Sequence, residues 1–199
     1  MATRRRAPEP STCVFSDCRT WRYTLEHRWD TDQPSYVPRR TAMFVGLNPS
    51  TADESSLDPT LRRVKDYCQA WGYGGFVMTN LFAFRSTAPA GMKAAADPIG
   101  PDNDTYLDRI AHRDDIALIV AMWGSHGRFK GRDQQVVDLL KDRLTALRVN
   151  ADGTPAHCLY LPKTLTAEPY GRSPIQPRPT FDSPPLPSLD PIPSDAPPS

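Results

Sequence analysis

Along the middle of the chain, apolar residues fall in short unbroken runs rather than in alternation. Ala42-Met43-Phe44-Val45-Gly46-Leu47 is one run, Phe76-Val77-Met78-Thr79 a second, Ile116 to Met122 a third and Ala146 to Val149 a fourth. Runs of this length predict strands covered on both faces, the signature of a parallel sheet. Helical spacing separates them. Asp58-Pro59-Thr60 predicts a helix start, with Asp as the N-cap and Pro at the first helical position; Leu61, Val64, Cys68 and Trp71 follow on one face until Gly72, Gly74 and Gly75 stop the helix. Asn103 to His112 predicts a second helix, and Gly131 to Leu144 a third carrying Val136, Val137, Leu139, Leu140 and Leu144. Trp21 to Trp29 alternates loosely and predicts an early strand or hairpin. Leu81 to Pro101 is expected to be a long loop, of the kind that usually carries function, and Asn150 to Gly153 a turn. Strand and helix alternate, so the expected fold is a three-layer α/β/α domain around a mainly parallel, four-stranded central sheet.

The ends of the chain differ from this middle. Residues 1–12, with Arg4-Arg5-Arg6, are expected to form a disordered basic arm, and ten of the 26 residues from Pro174 to Ser199 are proline. A segment of that composition buries no core, so 173–199 is expected to be a disordered tail and 13–172 a single domain. The formal net charge is +1, which excludes a grossly basic nucleic-acid binder but allows a local basic groove. No stretch approaches the roughly 20 apolar residues of a membrane span, and the N-terminus has no apolar signal core. A soluble, cytoplasmic monomer without membrane association is expected. The four cysteines, Cys13, Cys18, Cys68 and Cys158, are expected to be reduced thiols; Cys13 and Cys18 lack a second close pair with which to build a metal site.

In an open parallel sheet, ligands bind beyond the carboxyl ends of the strands. The first strand delivers Gly46-Leu47-Asn48-Pro49-Ser50-Thr51-Ala52-Asp53 to that rim, and the second delivers Asn80, then Phe82, Phe84 and Arg85. The third delivers Trp123-Gly124-Ser125-His126, and the fourth leads to His157. Each piece has a structural reading alone: a turn at Asn48-Pro49, a capped strand end at Asn80, a core tryptophan. Their coincidence at one sheet edge predicts a site.

Three of these pieces carry a resemblance. Gly46-Leu47-Asn48-Pro49 resembles the first motif of the uracil-DNA glycosylase superfamily. Phe76 to Arg85 (FVMTNLFAFR) is similar to the strand that carries its base-reading asparagine, and Ala121 to Gly131 (AMWGSHGRFKG) to its Trp-Gly strand end. A closer match is an uncharacterised bacterial and phage family with the pattern GLNPSTAD, DPT-x-RR, GYGG, NLFA-x-R-x-T-x-P, WG and HPLYL, found here between about residues 20 and 165. The chain departs from the superfamily at His157-Cys158-Leu159, where a His-Pro-Ser motif would fall, and at Asn48, where the classical branch has aspartate. The aromatic that stacks under the base has no counterpart among Ser50 to Ser56, and Phe82, Phe84 or Trp123 would substitute.

The resemblance implies a DNA glycosylase-like hydrolase acting on uracil, or on a modified or damaged base flipped from single- or double-stranded DNA, in base excision repair or phage-related defence. Asn48, His157 and Asp53 are then the catalytic candidates: Asn48 holds the water, Asp53 polarises it and His157 donates to the departing base. Gly46, Leu47, Pro49, Asn80, Phe82, Trp123, Gly124 and His126 would line the base site, with Asn80 offering a donor and an acceptor to the base edge. Ser50, Thr51, Arg62, Arg63 and Arg85 would contact phosphates, and Leu159 and Tyr160, with Leu161, would wedge into the stack. No metal and no organic cofactor are called for. Two other readings stay open: a non-catalytic base- or nucleic-acid-binding module, and an enzyme acting on free nucleotides or nucleosides.

Overall fold

The structure is a computed structural model, and it describes residues 11–29, 40–50 and 57–171. The basic arm up to residue 10, the tail from 172 onward, and Thr51 and Asp53 lie outside the described residues. Among the described residues, seven strands form one mixed sheet in the order β1-β2-β4-β3-β5-β6-β7. Its centre contains the four parallel strands that the apolar runs announce: β3 (Thr41–Gly46), β4 (Gly75–Asn80), β5 (Ile116–Ala121) and β6 (Leu144–Ala146).

The expectation of four strands was too small. The hairpin β1 (Ser11–Phe15) and β2 (Arg22–Arg28) adds antiparallel strands beyond β4, and β7 (Glu168–Pro169) adds one beyond β6. β2 falls within Trp21 to Trp29, where the loose alternation predicted an early strand or hairpin; β1 and β7 carry no such pattern, because strands at the edges of the sheet are half covered and their pairing is non-local. Ser11 and Thr12, expected within the basic arm, already pair with His27 and Glu26.

Helices cover both faces. On one, α1 (Pro59–Ala70) packs Leu61, Val64 and Tyr67 against Phe44, Phe76, Met78 and Val120. On the other, α3 (Asn103–Ala111) and α4 (Arg132–Leu140) pack Leu107, Ile110 and Val136 against Met43, Val45, Val77 and Ile119. The start of α1 follows the local signal: the Asp58 carboxylate accepts from the Leu61 N–H at 2.8 Å, and Pro59 stands in the first turn.

Two boundaries differ from expectation. The third helix ends at Leu140 and a 3₁₀ turn, Lys141–Arg143, follows, so the last parallel strand begins at Leu144 rather than Ala146. Leu144 is fully buried in either element, which is why spacing alone misassigned it. The loop after β4 contains a short helix, α2 (Pro89–Ala94), which docks on the core through Met92. No helix among the described residues is long and apolar enough to cross a membrane.

Candidate functional site

The carboxyl ends of β3, β4 and β5 open onto a cavity of about 630 Å³, a size usual for small-molecule sites. The entry of α1, the segment after Trp123 and the segment after Pro155 complete its walls. Gly46, Leu47, Asn48 and Ser50 reach it from β3, Asn80 from β4, Trp123, Gly124 and His126 from β5, and His157, Leu159 and Tyr160 from the last segment.

Hydrogen bonds explain how a segment distant in sequence comes to carry His157 to the sheet edge. Gly124 N–H donates to Pro155 O at 2.9 Å and Ala156 N–H to Arg148 O at 2.8 Å. From α1, Arg63 donates to Leu161 O at 2.9 Å and Tyr67 to Pro162 O at 2.6 Å. His157 is thereby fixed between α1 and the end of β5. Burial pushes its pKa below the ordinary value, with the nearby Asp58 charge pulling the other way. Its Nδ1 lies 3.3 Å from the Leu159 N–H and accepts from it, so the neutral ring carries its proton on Nε2. Asp58, which caps α1, lines the same cavity.

Asn80 is almost fully buried at the cavity floor. It fits there because residue 46 is glycine: a Cβ at that position would lie 2.8 Å from Asn80 Oδ1. Trp123 is buried too, edge-on to Tyr170, with an indole N–H that has no hydrogen-bond partner. It forms a wall rather than an open stacking platform.

Several predicted residues do something else. Asn48 lines the cavity, but its two amide hydrogens go to Ser86 O at 2.7 Å and Pro49 O at 3.1 Å, so it clamps two loops together. Pro49 is buried behind that clamp, its carbonyl also accepting from Ser86 N–H. Phe82 does not line the cavity. It is core, packed on Phe129, because the backbone after Asn80 turns under the sheet edge. Leu161 is likewise buried and unable to wedge, whereas Tyr160 stands exposed.

Of the expected phosphate contacts, Ser50 lines the cavity, whereas the three arginines lie outside the lining and donate to backbone carbonyls. Arg62 donates to Leu57 O, Arg63 to Leu161 O, and Arg85 to Arg19 O while its guanidinium lies over the Phe15 ring. A different cation, Lys93, meets the cavity wall at His126. Lys93 Nζ sits 3.3 Å from His126 Nδ1, and both Lys93 and Lys130 approach the Phe129 ring.

Sequence reasoning missed Arg22, Asp58, Thr60, Leu61, Met78, Thr87 and Pro89 on the lining. Asp58 was read as a cap, which it is; the position of that cap at the sheet edge was the available signal. The described cysteines are free thiols, and no group of three or more potential metal ligands occurs among the described residues.

No curated protein and no solved structure matches this chain. A family model described as "Protein of unknown function (DUF1643)" matches residues 22–159, which include every described residue of the cavity apart from Tyr160. With more than half of its length matched, the chain belongs to that family.

Proposed function

We propose that the cavity receives a nucleobase flipped from DNA and that the protein hydrolyses its N-glycosidic bond, as an enzyme of uracil-DNA glycosylase-like architecture. The observation that carries this reading is the meeting of a buried amide, Asn80, with a neutral histidine, His157, in one cavity at the strand ends. In this reading Asn80 pairs with the base edge and Trp123 bounds it. The C1′–N bond breaks with its electron pair passing to the base. His157 donates from Nε2–H to the charge that develops there, and a neutral donor suits the task because it stabilises the anion without trapping it as a salt. Water supplies the new C1′–O bond and releases its proton toward Asp58, the carboxylate on the lining, or to bulk solvent. Backbone of the Gly46–Asn48 segment positions that water, since the Asn48 amide hydrogens are engaged. Lys93, against the lining residue His126, would meet phosphates of the flanking strand. The chemistry needs no metal or organic cofactor.

The second reading is a base-binding module without catalysis. The engagement of Asn48 favours it, because the first motif then offers a structural clamp instead of a water ligand.

Alkaline-cleavage assays decide between them. Labelled single- and double-stranded oligonucleotides carry uracil, hydroxymethyluracil, hypoxanthine and other modified bases. Cleavage of one class, reduced about 100-fold or more in His157→Ala and Asn80→Asp, supports hydrolysis. Folded protein that binds these oligonucleotides and cleaves none of them leaves the binding module.

A further inference from the structure

Two polar side chains outside the cavity converge on the end of the strand that carries Asn80. Asn103 and Arg132 are the first residues of α3 and α4, and both are buried, at 0% and 1% exposure. Asn103 Nδ2 donates to Asn80 O at 3.1 Å and to Leu81 O at 2.9 Å, and Arg132 Nε donates to Leu81 O at 2.9 Å. The rest of the guanidinium turns away from the strand. Asp104 balances its charge, with Oδ2 at 3.3 Å from Nη1, and Gln135 Oε1 accepts from Nη1 at 3.2 Å. Neither Asn103 nor Arg132 lines the cavity.

These bonds complete a grip on two successive peptide units. Between Asn80 and Leu81, the Leu81 N–H donates to Gly46 O at 2.9 Å and the Asn80 carbonyl accepts from Asn103. Between Leu81 and Phe82, the Phe82 N–H donates to Leu47 O at 3.0 Å, and Asn103 and Arg132 take both acceptor sites of the Leu81 carbonyl. A planar unit held at both polar ends cannot tip, so the backbone beyond Asn80 is fixed, and with it the direction of the Asn80 Cα–Cβ bond. Pairing of β4 with β3 fixes the backbone before it. Satisfying two buried carbonyls is the simpler role for such donors. One observation argues for more. Asn103 Oδ1 is itself buried without a partner among the described residues, so the side chain that supplies two of the donors leaves an acceptor unpaired, at a cost in stability. Local conflicts of that kind are expected where a site is held in shape.

We propose that Asn103 and Arg132 are positioning residues: they set the angle at which the Asn80 carboxamide enters the cavity. The inference rests on reading Asn80 as the group that meets a ligand, and on nothing about the reaction. An amide that is to bond a ligand must keep its own donors and acceptor for it, so its direction has to come from the backbone. A polar group serves a site only within about 0.5 Å or 10–20° of its working geometry, and the hydrogen bonds on the Asn80 and Leu81 carbonyls supply that restraint from behind. Asp104 and Gln135 act one step further away, by holding Arg132. Arg132→Lys keeps a charge for Asp104 but loses the planar fork that serves Leu81 O and Asp104 together, so it separates the ion pair from the positioning.

The experiment is NMR of the full chain, read at the Asn80 side-chain amide, which Asn80→Ala identifies by its loss. The wild type is expected to give one sharp pair of amide signals, away from the position of free asparagine. In Asn103→Ala and in Arg132→Lys, each shown folded by its thermal melt, that pair is expected to broaden and move toward the free position. Backbone signals of Arg113 and Asp115, at the other end of the strands, are expected to stay. If neither variant folds, Asp104→Asn takes their place, because the Asp104 side chain is 59% exposed and its loss loosens Arg132 without opening the core. The Asn80 pair must then move in the same direction by less. Uracil affinity is the second readout. The folded variants are expected to bind about tenfold more weakly, and to add nothing to the loss seen in Asn80→Ala. An averaged Asn80 pair in the wild type, a pair that stays put in the folded variants, or losses that add to that of Asn80→Ala overturns the inference. A moving pair without uracil binding keeps the inference and removes the base-site reading. Uracil binding with an unmoved pair does the reverse.

Discussion

The two ends of the parallel strands use similar residues to opposite purposes. At the amino end, Arg28, Arg113, Glu26 and Asp115 close on one another. Arg113 donates to both Glu26 oxygens at 2.8 and 3.0 Å and to both Asp115 oxygens at 2.9 and 2.8 Å, and Arg28 reaches Glu26, Asp115 and Thr41. At the carboxyl end, Arg22, Asn80, Asp58 and His157 face a shared cavity. A charged group that its neighbours saturate is part of the scaffold. A polar group that unrelated elements hold at a cavity wall, as they hold Asn80 and His157, is placed to meet a ligand. The difference lies in what surrounds each residue, because both ends draw on Arg, Asp and polar side chains.

Breaking the saturated end has the largest expected effect. Arg113→Ala leaves Glu26 and Asp115 facing each other with Arg28 alone, at a cost of about 2 kcal/mol, less than a fully buried network because these side chains keep 22–29% exposure. Denaturant unfolding measures it, and base or DNA binding at the other end is expected to be unchanged. The pH dependence has a definite sign. Asp115 is held below the ordinary carboxylate range, by hydrogen bonds from Arg113, Thr41 and Arg28 that outweigh its burial. Its contribution is complete above an unfolded pKa of about 4 and is lost as pH falls through the lower folded value. Wild-type stability therefore declines in acid more steeply than that of Arg113→Ala.

A smaller effect is expected from Gly46→Ala at the cavity. The new methyl meets Met78 Cε at 2.5 Å and Asn80 Oδ1 at 2.8 Å, so both side chains must give way, for about 1–2 kcal/mol of stability. Here binding is expected to fall along with stability, which distinguishes this end from the Arg113 end. Calorimetric melting and base binding on one sample test the pairing.

Asp58 belongs to both roles, and two substitutions separate them. Asp58→Ala removes the N-cap and is expected to cost about 1 kcal/mol. Asp58→Ser keeps a capping oxygen, so stability is expected to stay within about 0.5 kcal/mol of wild type. Both remove the negative charge that raises the His157 pKa, so an NMR titration of His157 is expected to move further down in each. A titration that stays put separates Asp58 from the site.

The candidate site was legible in the sequence where a residue sits at the end of an apolar run. Gly46, Asn80, Trp123 and Gly124 lie where a parallel strand stops, and a strand's end is visible locally. Phe82 was misplaced because it follows Asn80 by two residues, yet the chain has turned inward by then. Arg62, Arg63 and Arg85 drew attention as charges near motifs. Their partners, backbone carbonyls at Leu57, Leu161 and Arg19, cannot be seen without the fold.

By itself the sequence determined the four parallel strands, the capped start of α1 and the α/β class, because hydrophobic period and capping chemistry act between neighbours in the chain. Only the tertiary structure decided how the antiparallel strands pair, the clamp made by Asn48 and the seating of His157 against α1. Each of these depends on hydrogen bonds between segments separated by tens of residues or on a register between two strands, and neither leaves a mark in the local order of polar and apolar side chains.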